Sequence, residues 1–208
     1  MNNTMRLVLA CFVFSLAVNA QEPAVIGFRG GLNFSNIVGG DVQESPKSRI
    51  GFQAGFLAEF YLSRSLGVQG EILYSEQGFN NAMDTNGDGT DEEVQFNLNY
   101  VNLPIMLKYY ITNNFCVALG PQIGVNVTSK LEIINGPIGA ANERENLENL
   151  EFLDFSAGVG LSYKFDEGFF FQGRYLLGIT PIRIFEIPDG ETLDIRHSVF
   201  QVSAGFRF

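Results

Sequence analysis

Apolar and polar residues alternate with period two along segment after segment of this 208-residue chain. From Val25 to Ser35, the residues Ile26, Phe28, Gly30, Leu32 and Phe34 share one face, while Gly27, Arg29, Gly31 and Asn33 share the other, because successive side chains of a strand point to opposite sides. After a polar stretch from Val38 to Ser48, Ile50, Phe52, Ala54, Phe56, Ala58, Phe60 and Leu62 alternate with Gly51, Gln53, Gly55, Glu59 and Tyr61. A third strand opposes Leu66, Val68, Ile72 and Tyr74 to Gln69, Glu71, Ser75 and Gln77 and ends near Gly78. The fourth, from about Asn97 to Ile111, sets Val101, Leu103, Ile105, Leu107 and Tyr109 against Asn102, Pro104, Met106 and Lys108. Pro104 has no ladder donor and predicts a bulge or an unpaired position there.

The remaining segments repeat the pattern. Phe115 to Val127 presents Val117, Leu119, Ile123 and Val125 on one face and Cys116, Ala118, Gly120, Gln122, Gly124 and Asn126 on the other. Leu153 to Phe165 sets Phe155, Val159, Leu161 and Tyr163 against Asp154, Ser156, Gly158, Gly160, Ser162 and Lys164. After Asp166-Glu167-Gly168, a seventh strand carries Phe169, Phe171, Tyr175 and Leu177 against Gln172 and Arg174 and extends toward Ile184. The last, Ser198 to Phe208, opposes Phe200, Val202, Ala204, Phe206 and Phe208 to Gln201, Ser203, Gly205 and Arg207.

Connections between these segments alternate long and short, and every strand keeps an apolar face. Together these features predict an all-β fold: a closed antiparallel up-and-down transmembrane β-barrel of about eight strands, apolar outside and polar inside. A soluble cup would place its apolar face inside instead, leaving a solvent surface of glycines and isolated charges. Short turns then lie in the periplasm with both termini, long loops lie outside, and the location is the cell outer membrane.

The first residues have a different character. Arg6 is followed by an apolar run from Leu7 to Val18 and a small-residue exit at Asn19-Ala20, which reads as a cleaved secretory signal peptide over 1–20 and a barrel domain over 21–208. Cys11 sits too early in the apolar run for a lipoprotein signal, which leaves Cys116 as the mature thiol, read as a small packed residue.

The formal charge of -10 argues against a nucleic-acid partner, since phosphate binding requires clustered Lys and Arg. The expected partners are outer-membrane lipid and the outer-membrane assembly machinery. Inside the predicted barrel, Arg29, Glu59, Glu71, Lys108, Asp154, Lys164, Arg174 and Arg207 form a polar network of mixed sign. Eight strands leave an interior only wide enough for side chains. Mutual pairing would therefore close the lumen; a narrow ion path past Glu59, Glu71 and Arg174 is the sharper alternative. Asp84-Thr85-Asn86-Gly87-Asp88-Gly89 resembles the opening of a calcium loop, with Asp84, Asn86, Asp88, the Thr90 carbonyl and Glu92 as ligands of a weak Ca2+ site in the loop 84–95. The twelfth position is Gln95 rather than a bidentate Glu, so an Asx-rich turn is the competing reading. No other cofactor and no catalytic residue is expected: His197 has no serine or carboxylate placed beside it by a recognisable motif.

Several of these segments are similar to the PorT-like outer-membrane β-barrel family of Bacteroidetes. Gln69-Gly70-Glu71-Ile72-Leu73-Tyr74-Ser75-Glu76-Gln77-Gly78 resembles its third strand, and Tyr100-Val101-Asn102-Leu103-Pro104-Ile105-Met106-Leu107-Lys108-Tyr109-Tyr110 its proline-containing fourth. Gly120-Pro121-Gln122-Ile123-Gly124, Gly158 to Tyr163, Arg174-Tyr175-Leu176-Leu177-Gly178 and Gly205-Phe206-Arg207-Phe208 resemble its later strands. The resemblance implies an outer-membrane barrel and, by analogy, a place in secretion-system assembly. Phe208 resembles the terminal aromatic signal read by the assembly machinery. The expected role is structural or surface-interacting, through envelope integrity or loop-mediated recognition; the alternative is a narrow solute channel or a secretion-system accessory.

Overall fold

A computed structural model describes residues 24–39, 46–83, 92–133, 144–146, 153–181 and 195–208. The proposed signal peptide and its boundary lie outside the described residues. Among those described, the strands are β1 (Val25–Val38), β2 (Lys47–Tyr61), β3 (Leu66–Met83), β4 (Glu92–Tyr110) and β5 (Phe115–Ile133), then β6 (Arg144–Asn146), β7 (Leu153–Lys164), β8 (Phe169–Gly178) and β9 (Arg196–Arg207). All pairings are antiparallel. β1 pairs with β9 and β4 with β5, so β1–β5 and β7–β9 close into an eight-stranded ring, and the three-residue β6 pairs with β5 at Lys130–Glu132.

One paired row gives the geometry of closure. Phe60, Val68, Leu107, Leu119, Val159, Tyr175, Phe200 and Phe34 are successive partners, and the row returns to β2 at Ile50, a shear of ten residues. That stagger on eight strands requires a steep tilt, within the ~35–45° typical of barrels. Every residue in this row faces outward. Phe56 is 71% exposed and Ile50 63%, whereas Arg29, Glu59 and Arg174 are buried inside. A wall of this polarity suits lipid outside, because closure satisfies the backbone within the ring and leaves a belt of apolar side chains outside.

Two prolines interrupt the ladder without shifting its register. The β3–β4 pairing passes from Gly70↔Ile105 to Leu73↔Asn102, skipping Pro104, and the β4–β5 pairing passes from Leu107↔Leu119 to Pro104↔Gln122, skipping Pro121. The position predicted at Pro104 is therefore unpaired on its β3 side rather than bulged, because the proline nitrogen cannot donate. Short turns close one end of the barrel. In the turn before β8, Gly168 adopts φ +92, and its amide donates to the Phe165 carbonyl at 3.2 Å.

β3, β4 and β5 run well beyond the ends that outward hydrophobicity suggests, and the reason is a reversal of polarity. Toward the long-loop end, the outward positions become Glu76 and Asn80 on β3, Gln95, Asn97 and Asn99 on β4, and Lys130 and Glu132 on β5. The inward positions become apolar, with Phe79, Val94, Phe96 and Leu98 all buried. Phe79 and Phe96 are register partners whose rings stack at 4.5 Å and 12°. Asn99 pairs with Thr128 but Tyr100 with Asn126, so Val127 is an extra residue that switches the β5 faces: Ser129 is buried and Lys130 exposed. These strand ends are built as they would be in a water-facing sheet. β8, in contrast, stops at Gly178, short of the extension expected toward Ile184.

Candidate functional site

The barrel interior gathers two charged clusters. In the first, β3 holds Glu71 between β1 and β8. Arg29 donates from Nε (3.0 Å) and Nη2 (2.8 Å) to Oε2, and Arg174 donates from Nη1 to Oε2 (3.1 Å) and from Nη2 to Oε1 (2.5 Å). The side chains of all three are fully excluded from solvent. Further bonds fix the guanidiniums: Arg29 Nη1 donates to Ser203 Oγ at 2.9 Å, and Gln172, its amide oxygen turned inward, accepts from Arg174 Nε at 3.1 Å.

The second cluster lies nearer the short-turn end and centres on Glu59 of β2. Lys108 Nζ donates to Glu59 Oε2 at 2.8 Å, and Arg207 Nη1 donates to the same oxygen. The Tyr110 hydroxyl donates to Oε1 and accepts from Arg207 Nη1 at 3.2 Å. Arg207 also lies over the Phe170 ring, 5.2 Å from its centroid. Gln69 joins the clusters, donating from Nε2 to Glu71 Oε1 at 2.5 Å and accepting from Lys108 Nζ at 3.0 Å. The network thus crosses from β1, β8 and β9 to β2, β3 and β4, and removing any one carboxylate would strand buried cations.

Two of the expected lumen charges sit elsewhere. Asp154 lies toward the long-loop end, accepting from Ser156 Oγ (2.8 Å) and Thr180 Oγ1 (3.0 Å), and Lys164 is half-buried at the end of β7, outside both clusters. Near Asp154's end, Tyr100 OH and His197 Nε2 are 3.0 Å apart and their rings meet edge to face. Gln69, Tyr110 and Ser203 complete the network without having been singled out among the charges, although all three occupy inward positions of their strands. Of the calcium-loop candidates, Asp84, Asn86, Asp88 and Thr90 lie outside the described residues; the backbone of Glu92 opens β4. Phe208 faces outward, 71% exposed, with its amide donating to the Ile26 carbonyl at 2.9 Å.

The family described as "Outer membrane protein beta-barrel domain" matches residues 19–183. The chain belongs to that family. Its wall and closure are those of an outer-membrane barrel, and the outer membrane is where the family places it. Among solved structures, the chain is similar to the Neisserial surface protein A NspA (12% identity, TM-score 0.53, 90% of this chain and 100% of that chain covered). It is also similar to Ail, the attachment invasion locus protein of Yersinia pestis (14%, TM-score 0.51, 90% and 100%). The same Ail in complex with the heparin analogue sucrose octasulfate matches at 15% identity and TM-score 0.50, covering 90% of this chain and 100% of that chain. At these identities the likeness is one of fold. No curated protein sequence matches the chain.

Proposed function

We propose that this outer-membrane barrel is a closed, non-catalytic scaffold whose role is structural or surface-interacting, exerted by the loops at its long-connection end. The observation that carries the reading is the charged network, whose Arg29, Glu71 and Arg174 side chains are wholly excluded from solvent in the middle of the lumen. Such a cluster opposes ion passage, because an ion would have to displace paired charges already desolvated. In this reading the short turns and both termini face the periplasm, and Phe208 serves as the assembly signal. The long connections contain Asp41, Glu44, Asp84, Asp88, Asp91, Glu148 and Glu151. A polyanion of the kind bound by Ail is therefore a poor fit, and a basic or cation-bridged partner suits them better. The resemblance of several strand motifs to those of PorT-like proteins favours one variant of this role, an accessory in secretion-system assembly.

Planar-bilayer recording of the purified barrel tests the closed lumen, with no stable conductance expected. A steady single-channel current from the wild-type chain refutes it. Recovery of bound proteins from the native envelope, before and after trimming the loops, tests the interaction role; loop removal should abolish recovery.

A further inference from the structure

Gly173 lies within β8 at an outward position, and the usual reasons for a glycine in a strand do not apply to it. Its pairings run through without a break in register, to Leu161 on β7 and to Val202 on β9. It is not among the glycines of positive φ. Close packing of backbones does not require it either: an added Cβ would meet nothing within 4 Å, whereas at Gly31, Gly55 and Gly120 it would lie 2.0 Å from a carbonyl oxygen. A glycine inside a strand weakens it and, where no bulge is present, marks a place where another molecule comes close to the backbone. The missing side chain leaves a groove of about 260 Å³ in the outer wall, faced by Phe115, Leu161, Tyr163, Phe171 and Val202. Ser162 and Gln172 also border it but turn their polar ends inward, Ser162 Oγ to Cys116 Sγ at 2.9 Å and Gln172 to Arg174.

The groove thus presents hydrocarbon and aromatic rings and no charged group. It is smaller than the ~300–1,000 Å³ pockets that enclose a whole drug-sized ligand, so it suits part of a long apolar molecule. It is continuous with the apolar belt that meets lipid, and it opens beside an aromatic girdle at the short-turn end, the level at which lipid chains leave their headgroups. Its rings are already held: Tyr163 and Phe165 meet edge to face at 5.0 Å, and Phe165 and Phe171 at 5.9 Å. A chain lying over Gly173 would touch backbone beneath it, Leu161 and Val202 on either side, and rings at one end, more contact than a flat wall offers and with little ordering of the protein. We propose that this groove retains one acyl chain of a membrane glycerolipid from the leaflet on the short-turn side. The site depends on the lipid-facing wall and not on whether the lumen is closed.

The test folds the full-length barrel into vesicles of palmitoyl-oleoyl phosphatidylethanolamine, extracts it in mild detergent and weighs it by native mass spectrometry. A wild-type barrel carrying one phospholipid through extraction is expected. Gly173→Leu fills the groove and should lower the retained fraction about tenfold, the loss expected when two chain methylenes give up their burial. Gly70→Leu is the control. Its Cβ is also open, but Gly70 abuts the break in the ladder at Pro104, and this variant should retain lipid as the wild type does. Heat-modifiable gel mobility confirms that each variant is folded, and Gly173→Ala, with a Cβ in open space, gives the same comparison if Gly173→Leu does not fold. A wild-type barrel that carries no lipid overturns the proposal whatever the variants do. So does an equal loss in Gly70→Leu, which would make the lipid a property of the wall at large, and so does a wild-type dimer that Gly173→Leu abolishes, which would make a second copy the occupant.

Discussion

Replacing Glu71 by Gln tests the physical basis of the closed lumen most directly. The substitution preserves shape but exchanges one acceptor oxygen for an NH2 donor. The native carboxylate accepts from Arg29 Nε and Nη2 on Oε2, and from Arg174 on both oxygens. Whichever way the new amide turns, it presents N–H groups to a guanidinium and leaves both cations without a counter-charge. Breaking a buried pair by removing one partner costs about 3–5 kcal/mol. Two arginines depend on this carboxylate, so the upper part of that range is expected, a large fraction of a typical total stability of ~5–15 kcal/mol. The chain has no Trp, so unfolding in urea is best followed by circular dichroism on barrels reconstituted in lipid vesicles, with heat-modifiable gel mobility as a second probe. The combined variant Arg29→Met, Glu71→Met and Arg174→Met removes all three charges and should be less damaged than Glu71→Gln alone, because no cation is left stranded. A Glu71→Gln barrel within about 1 kcal/mol of wild type, or a triple variant less stable than the single, would refute the reasoning.

Other expectations follow from the same structure. Gly168→Ala should lose more than about 1 kcal/mol in the same urea assay, since the turn requires φ +92 and an added Cβ would lie 2.5 Å from the Arg207 carbonyl oxygen. Gly31→Ala should impair barrel formation, detected as loss of the heat-modifiable band, because its Cβ would lie 2.0 Å from the Val202 carbonyl oxygen across the closing β1–β9 pair. Deleting Phe208 should slow assembly in cells yet cost little in refolding from urea into vesicles, where its exposed ring contributes little; an equal loss in both would make it a structural residue instead. Calcium titration calorimetry of the intact chain against the Asp84→Ala/Asp88→Ala double variant should show weak binding in the former only; identical heats remove the calcium loop.

What could be read from the chain alone was what period-two alternation encodes. Because a strand exposes its two faces to different media, Ile50, Phe52, Phe56 and Phe60 on one side and Gln53 and Glu59 on the other already specified a wall with lipid outside and a polar lumen. The number of such walls, and their alternating connections, specified closure. The same rule misjudged the ends of β3, β4 and β5, where the medium outside becomes polar: Phe79, Phe96 and Leu98 turn inward and the outward row ceases to be apolar. Alternation also says which face a residue occupies but not how high in the barrel it sits. Height depends on the ten-residue shear, a property of the closed ring as a whole. Only that stagger brings Arg29, Glu71 and Arg174, separated by 42 and 103 residues in sequence, onto one carboxylate, while leaving Asp154 with Ser156 and Thr180.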